Sequence, residues 1–163
     1  MAIQNWIDYH TDVLTTEMPL ADALEVISEI KTLANGKLDL VVTSGNDKIR
    51  AAVSYLLYYL KDGVSDPPDL TKKFTGAGTI YCESIRTSDF LLVDFLKTSK
   101  DSNFIILEQM DKIPQKRANE IYLKVNHEYP NLRVVLALTD HPTDLAIWHN
   151  LAVLTVNKKS KGV

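Results

Sequence analysis

The chain has 163 residues, 45% apolar and 24% charged, with a formal net charge of −3. That is long enough to bury a core without disulfides or metals, and too apolar for a wholly disordered chain. A pI near 5.8 argues against a strong generic affinity for nucleic acid, and no apolar run approaches the roughly 20 residues that a membrane-spanning helix needs. The single cysteine, Cys82, has no internal partner for a disulfide. With no signal-like N-terminal run, the expected compartment is therefore reducing: cytoplasmic, or nuclear in a eukaryote.

In chain order, Ile3, Trp6, Ile7, His10 and Leu14 recur at helical spacing. Leu20, Ala23, Leu24, Ile27, Ile30 and Ala34 do the same, between Pro19 and the Asn35-Gly36 stop. Residues 38–43 read as a short, apolar strand. Ile49, Ala52, Val53, Leu56, Leu57 and Leu60 then mark an amphipathic helix over about residues 48–61. Residues 62–77, with Asp66-Pro67-Pro68-Asp69, read as a loop.

Residues 79–83 predict a strand, and 88–98 a helix capped by Thr87 or Ser88. Residues 104–107 predict a strand, and Pro114 opens a helix with Ala118, Ile121, Tyr122 and Val125 inward. A strand over 132–138, a short helix over 142–149 and a strand over 151–156 complete the pattern. Five apolar strands alternating with helices predict an α/β domain: a parallel sheet between helical layers, a three-layer αβα sandwich. The whole chain, residues 1–163, reads as a single domain.

Ligands of such sheets sit at the carboxyl ends of the strands, so those loops hold the candidate chemistry. The first reads Thr43-Ser44-Gly45-Asn46-Asp47-Lys48-Ile49 and leads straight into a helix. A phosphate loop at that place needs glycines, a lysine and a magnesium-binding hydroxyl. Lys48 stands where the lysine belongs, but Asp47 replaces the glycine before it and Ile49 the hydroxyl after it. The alternative is a plain strand-to-helix turn, with Asn46 or Asp47 as N-cap.

At the end of the third strand, Glu108-Gln109 stands where an NTPase places Asp for magnesium and Glu for the attacking water. Gln109 can orient a water but cannot take its proton. Thr139-Asp140 follows the fourth strand, either reaching toward a phosphate or capping the helix opened by Pro142. His10, His127, His141 and His149 have no metal-ligand spacing, and no nucleophile elbow is present.

These loops, in this order, resemble a degenerate AAA+ ATPase core of the initiator and clamp-loader kind, over about residues 20–157. Val41–Lys48 lies at the Walker A place, Phe104–Gln109 at Walker B, and Leu136–Asp140 at the strand carrying sensor 1. The resemblance implies a P-loop NTPase fold with strand order 5-1-4-3-2. No helical lid domain of the family's kind is expected. Degenerate nucleotide-site positions are Ser44, Gly45, Asp47, Lys48, Glu108, Gln109, Thr139 and Asp140, and no residue is assigned a catalytic role.

The implied function is a pseudo-ATPase: a non-catalytic interaction subunit of a DNA replication, repair or recombination assembly, with no cofactor or metal. Its partner would be another protein or a second copy, with DNA reached through the complex and no membrane contact. The alternative is a weak ATP-binding or hydrolysing protein using Lys48 and Glu108, with ATP and magnesium. Trp6, Tyr55, Tyr58, Tyr59 and Phe90 are candidate interface residues, with packing inside the domain as the other reading.

Overall fold

The computed structural model describes residues 3–61, 78–81, 104–108, 114–130, 133–139 and 152–155. Helix α1 spans Ile3–Glu17, α2 Leu20–Ala34, α3 Asp47–Tyr59 and α4 Gln115–Glu128. Strands are β1 Leu40–Thr43, β2 Gly78–Tyr81, β3 Phe104–Glu108, β4 Arg133–Leu138 and β5 Ala152–Thr155. The expected helix over 88–98, the loop over 62–77 and the short helix over 142–149 lie outside the described residues.

The strands form a parallel sheet in the order β2-β3-β4-β1-β5. Register is set through β4: Leu40 pairs with Val135 and Ile106 with that same residue from the other side. Side chains alternate between faces along each strand. Leu40, Val42, Phe104, Ile106, Val135 and Ala137 join one core with α1, α2 and α3. Val41, Ile105, Leu107, Val134, Leu136 and Leu138 alternate away from it and are equally buried. Both faces are therefore covered, as strands without a polar side require.

Each helix buries one stripe. In α2 it is Ala23, Val26, Ile30 and Ala34; in α4 it is Ala118, Ile121, Tyr122 and Val125, as the spacing predicts. Helix α1 ends by turning at Met18, which is fully buried, and Pro19 then starts α2.

At the amino ends of the strands a buried charge organises the packing. Arg133 opens β4 and donates to three carbonyls: Nε to Leu38 at 2.9 Å, Nη1 to Ala34 at 2.9 Å and Nη2 to Leu33 at 2.8 Å. Two of these are the orphan carbonyls that end α2. Gly36 makes the approach feasible, because a Cβ there would stand 3.3 Å from Arg133 Nη2. Asp39 completes the joint, accepting from the Val134 N–H at 2.8 Å and the Tyr122 hydroxyl at 2.6 Å. Burial, then the hydrogen bond to Asp39 and its charge, push the Tyr122 phenol well above its ordinary range. Burial pulls the Arg133 guanidinium down, and the charge of Asp39 opposes that pull.

Arg133→Ala removes all three of these bonds, though Leu33 O keeps the Gly36 N–H at 3.0 Å, and it is expected to lower unfolding stability by about 3 kcal/mol. Equilibrium urea denaturation measures the loss, and Arg133→Lys, which cannot reach three acceptors in one plane, recovers only part of it.

Candidate functional site

The β1–α3 turn has only three residues, Ser44, Gly45 and Asn46. A Gly-x-x-x-x-Gly-Lys loop aligned on Lys48 would begin at Val42, which is still a buried strand residue. The turn is closed by its own side chains. Asn46 is the N-cap, and its Oδ1 accepts from the N–H of Lys48 at 2.9 Å and of Ile49 at 3.1 Å. Those are orphan donors of the kind that a phosphate takes at a helix N-terminus. Ser44 is pinned at both ends: its N–H donates to Leu138 O, and its Oγ accepts the Asn46 N–H at 3.2 Å.

Arg50 seals the turn from within. It is 3% exposed, donating through Nη1 to Ser44 O at 2.9 Å and through Nη2 to Asp47 Oδ1 at 2.7 Å. Gly45 is exposed, and a Cβ there would meet nothing within 4 Å, so neither space nor backbone conformation demands glycine. Lys48 points toward α1: its Nζ lies 3.4 Å from Glu17 Oε1, with the side chain 75% exposed. Glu17 also accepts from Asn46 Nδ2 at 3.2 Å, tying α1 to the turn.

The sheet places β3, β4 and β1 side by side, which brings their carboxyl ends to one edge. Glu108 pairs in register with Ala137, and Thr43 with Leu138. Glu108 and Thr43 are thus two strand spacings apart, about 10 Å. Thr139 follows directly after β4, while Gln109 and Asp140 lie outside the described residues. The hydroxyl of Thr43, at 1% exposure, has no hydrogen-bond partner among the described residues. Among the described residues no three His, Cys, Asp or Glu side chains gather to hold a metal ion, and no helix is long and apolar enough to cross a membrane.

The candidate interface aromatics divide. Tyr58 and Tyr59 are 5% and 3% exposed and belong to the core, so of the two readings left open for them burial favours packing inside the domain over an interface. Tyr58 packs against Phe104, with ring centroids 5.4 Å apart, and Trp6 stacks on Tyr59 at 6.2 Å. Burial, with the neighbouring tyrosines, pushes the Tyr59 phenol far up. Tyr55 is half-buried and stacks on His10 at 5.4 Å. Phe90 lies outside the described residues.

Sequence reasoning missed Arg50, Glu17 and His10 as organisers of this region. The Asp47–Arg50 pair was visible at i, i+3, but nothing local signals that the arginine turns inward.

No family model and no curated protein sequence matches the chain. Solved structures do. Saccharomyces cerevisiae RIF2 is similar at a TM-score of 0.53 and 14% identity, over 94% of this chain and 63% of that one. C. elegans PCH-2 is similar at 0.51 and 12% identity, over 90% of this chain and 44% of that one. A DNA polymerase III gamma subunit-related protein from Thermotoga maritima aligns at 0.49 and 20% identity, over 80% and 45%. The chain spans less than two thirds of each of these structures. The likeness to RIF2 and PCH-2 is one of fold.

Two outcomes follow from the turn and from the ring stack. Asn46→Ala frees both helix N–H groups and is expected to cost about 1 kcal/mol of stability, read by urea denaturation. Burial holds the His10 imidazole below its ordinary pKa of 6.5. The unfolded chain therefore binds the proton more readily, so the His10 contribution is complete above pH 6.5 and is lost as pH falls below it. The stability difference between the wild-type chain and His10→Phe, followed from pH 8 to pH 5, is expected to shift against the wild type on the acid side.

Proposed function

We propose that the chain is a non-catalytic, AAA+-like interaction subunit of a DNA replication, repair or recombination assembly. One observation carries the non-catalytic part: Asn46 occupies the Lys48 and Ile49 N–H groups at the helix N-terminus where nucleotide phosphates would be cradled. A ligand would have to displace that cap and compete with Glu17 for Lys48. The three-residue turn and the inward Arg50 support the same reading, because backbone N–H groups cannot wrap a phosphate without a longer, glycine-bearing loop.

The sheet, read β5-β1-β4-β3-β2, has the order that the AAA+ resemblance implies, which supports placing the turn at the phosphate-loop position. The replication, repair or recombination setting comes from the order of the three motif-like loops, an analogy of family. The partner is a second protein or another copy of the chain, and DNA is reached through the complex.

Mg-ATP is the direct test. The melting temperature is expected to be unchanged at millimolar Mg-ATP, with no phosphate release above the no-protein blank. A rise of several degrees that Lys48→Ala abolishes would overturn the proposal in favour of a working nucleotide site.

A further inference from the structure

Between α1 and α3 runs a groove of about 470 Å³, within the size range of small-ligand sites. Its floor is set by Val13, Ala51 and Ala52, whose short side chains leave the space open. Tyr9, 60% exposed, stands on the α1 side and Tyr55 on the α3 side. At one end Glu17 and Lys48 neutralise each other in their ion pair. That leaves Asp12, three residues along α1 from Tyr9, as the unbalanced charge of the lining. Its carboxylate has no hydrogen bond or ion pair among the described residues; only its backbone carbonyl is engaged, by Thr15.

His10 also lines the groove. It is 9% exposed, and its contacts among the described residues are to rings: Tyr9 edge-on at 5.1 Å, Tyr55 at 5.4 Å and Tyr59 at 5.6 Å. No described residue hydrogen-bonds to its nitrogens. Its nitrogens are not among the fully buried polar atoms, so they open to the groove that the ring lines, where a ligand can reach them.

We infer that this groove binds an arginine side chain presented by a partner polypeptide. The parts present call for that chemistry. Aromatic faces attract a cation, and a guanidinium stacks on them in a way that an ammonium does not. Asp12 supplies a carboxylate for the fork. The imidazole of His10, kept neutral by burial, offers one unprotonated nitrogen to a guanidinium N–H. An apolar side chain in the same place would cover Asp12 with its charge unpaired, and an anion would meet it directly.

The inference deepens the proposed interaction role by naming the chemistry of one partner side chain, and it rests on that reading only there. ATP takes no part in its test, so the two proposals fail separately.

The probe is the tripeptide Ala-Arg-Ala, acetylated and amidated at its ends, titrated into the full chain. Ring-proton NMR shifts of His10, Tyr9 and Tyr55 report binding. The comparison peptides carry citrulline, which keeps the shape and loses the charge, or leucine. Saturable shifts are expected with the arginine peptide, with affinity about tenfold weaker for citrulline and for leucine. Asp12→Asn, an exposed change, is expected to weaken arginine binding about fivefold at an unaltered melting temperature. The inference is overturned if no saturable shift appears up to about 10 mM peptide, if citrulline or leucine binds as tightly, or if Asp12→Asn binds arginine as the wild type does.

Discussion

A parallel sheet that carries apolar side chains on both faces is held together only where helices cover each face, and that constraint governs the rest of this molecule. In β1, β3 and β4 almost every residue is apolar and buried, so neither face tolerates water. The polar work is displaced to the two ends of the strands. There, backbone groups and chain reversals must be satisfied without the regular ladder.

The two ends are handled by the same device, an arginine turned inward onto carbonyls. At the amino ends Arg133 gathers the end of α2, the approach to β1 and the start of β4. At the carboxyl ends Arg50 holds Ser44 and Asp47 across the turn into α3. A guanidinium suits both places because its fork can satisfy several acceptors in one plane. The consequence differs by end. At the first it locks packing; at the second it takes up, together with Asn46, the turn on which a nucleotide-binding member of the fold would depend. Under the proposed function, a chain with that turn sealed acts through its surface.

That surface is built where α1 lies along α3. His10 is stacked among Tyr55 and Tyr59, Trp6 rests on Tyr59, and Glu17 links α1 to both Asn46 and Lys48. The helix that makes the groove is therefore joined to the sealed turn through one carboxylate. Closing the turn and shaping the groove are parts of one arrangement.

Much of this was legible in the residues. The helical stripe of α3 and the inner face of α4 follow from spacing, since burial of one side at a period near 3.6 is a local demand. The strands of β1, β3 and β4 follow from short apolar runs between turn residues. That Asp47 and Ile49 do not meet the needs of a phosphate loop was also visible, because such a loop has fixed chemical requirements at fixed spacing. Other features needed the folded chain. Spacing left Asn46 and Asp47 equal as caps, and only the helix start at Asp47 decided between them. Spacing left Tyr58 and Tyr59 open between an interface and packing inside the domain, and their contacts with Trp6 and Phe104 place them in the core. The inward turns of Arg50 and Arg133, and the meeting of Glu17 with Lys48, join residues far apart in the chain or oriented by neighbours. Which segments must be buried, and that residues 42–49 do not fit a phosphate loop, could be read from the residues alone, because periodicity and residue type act locally. Which polar groups those segments bring together came from the folded chain, because long-range packing sets that.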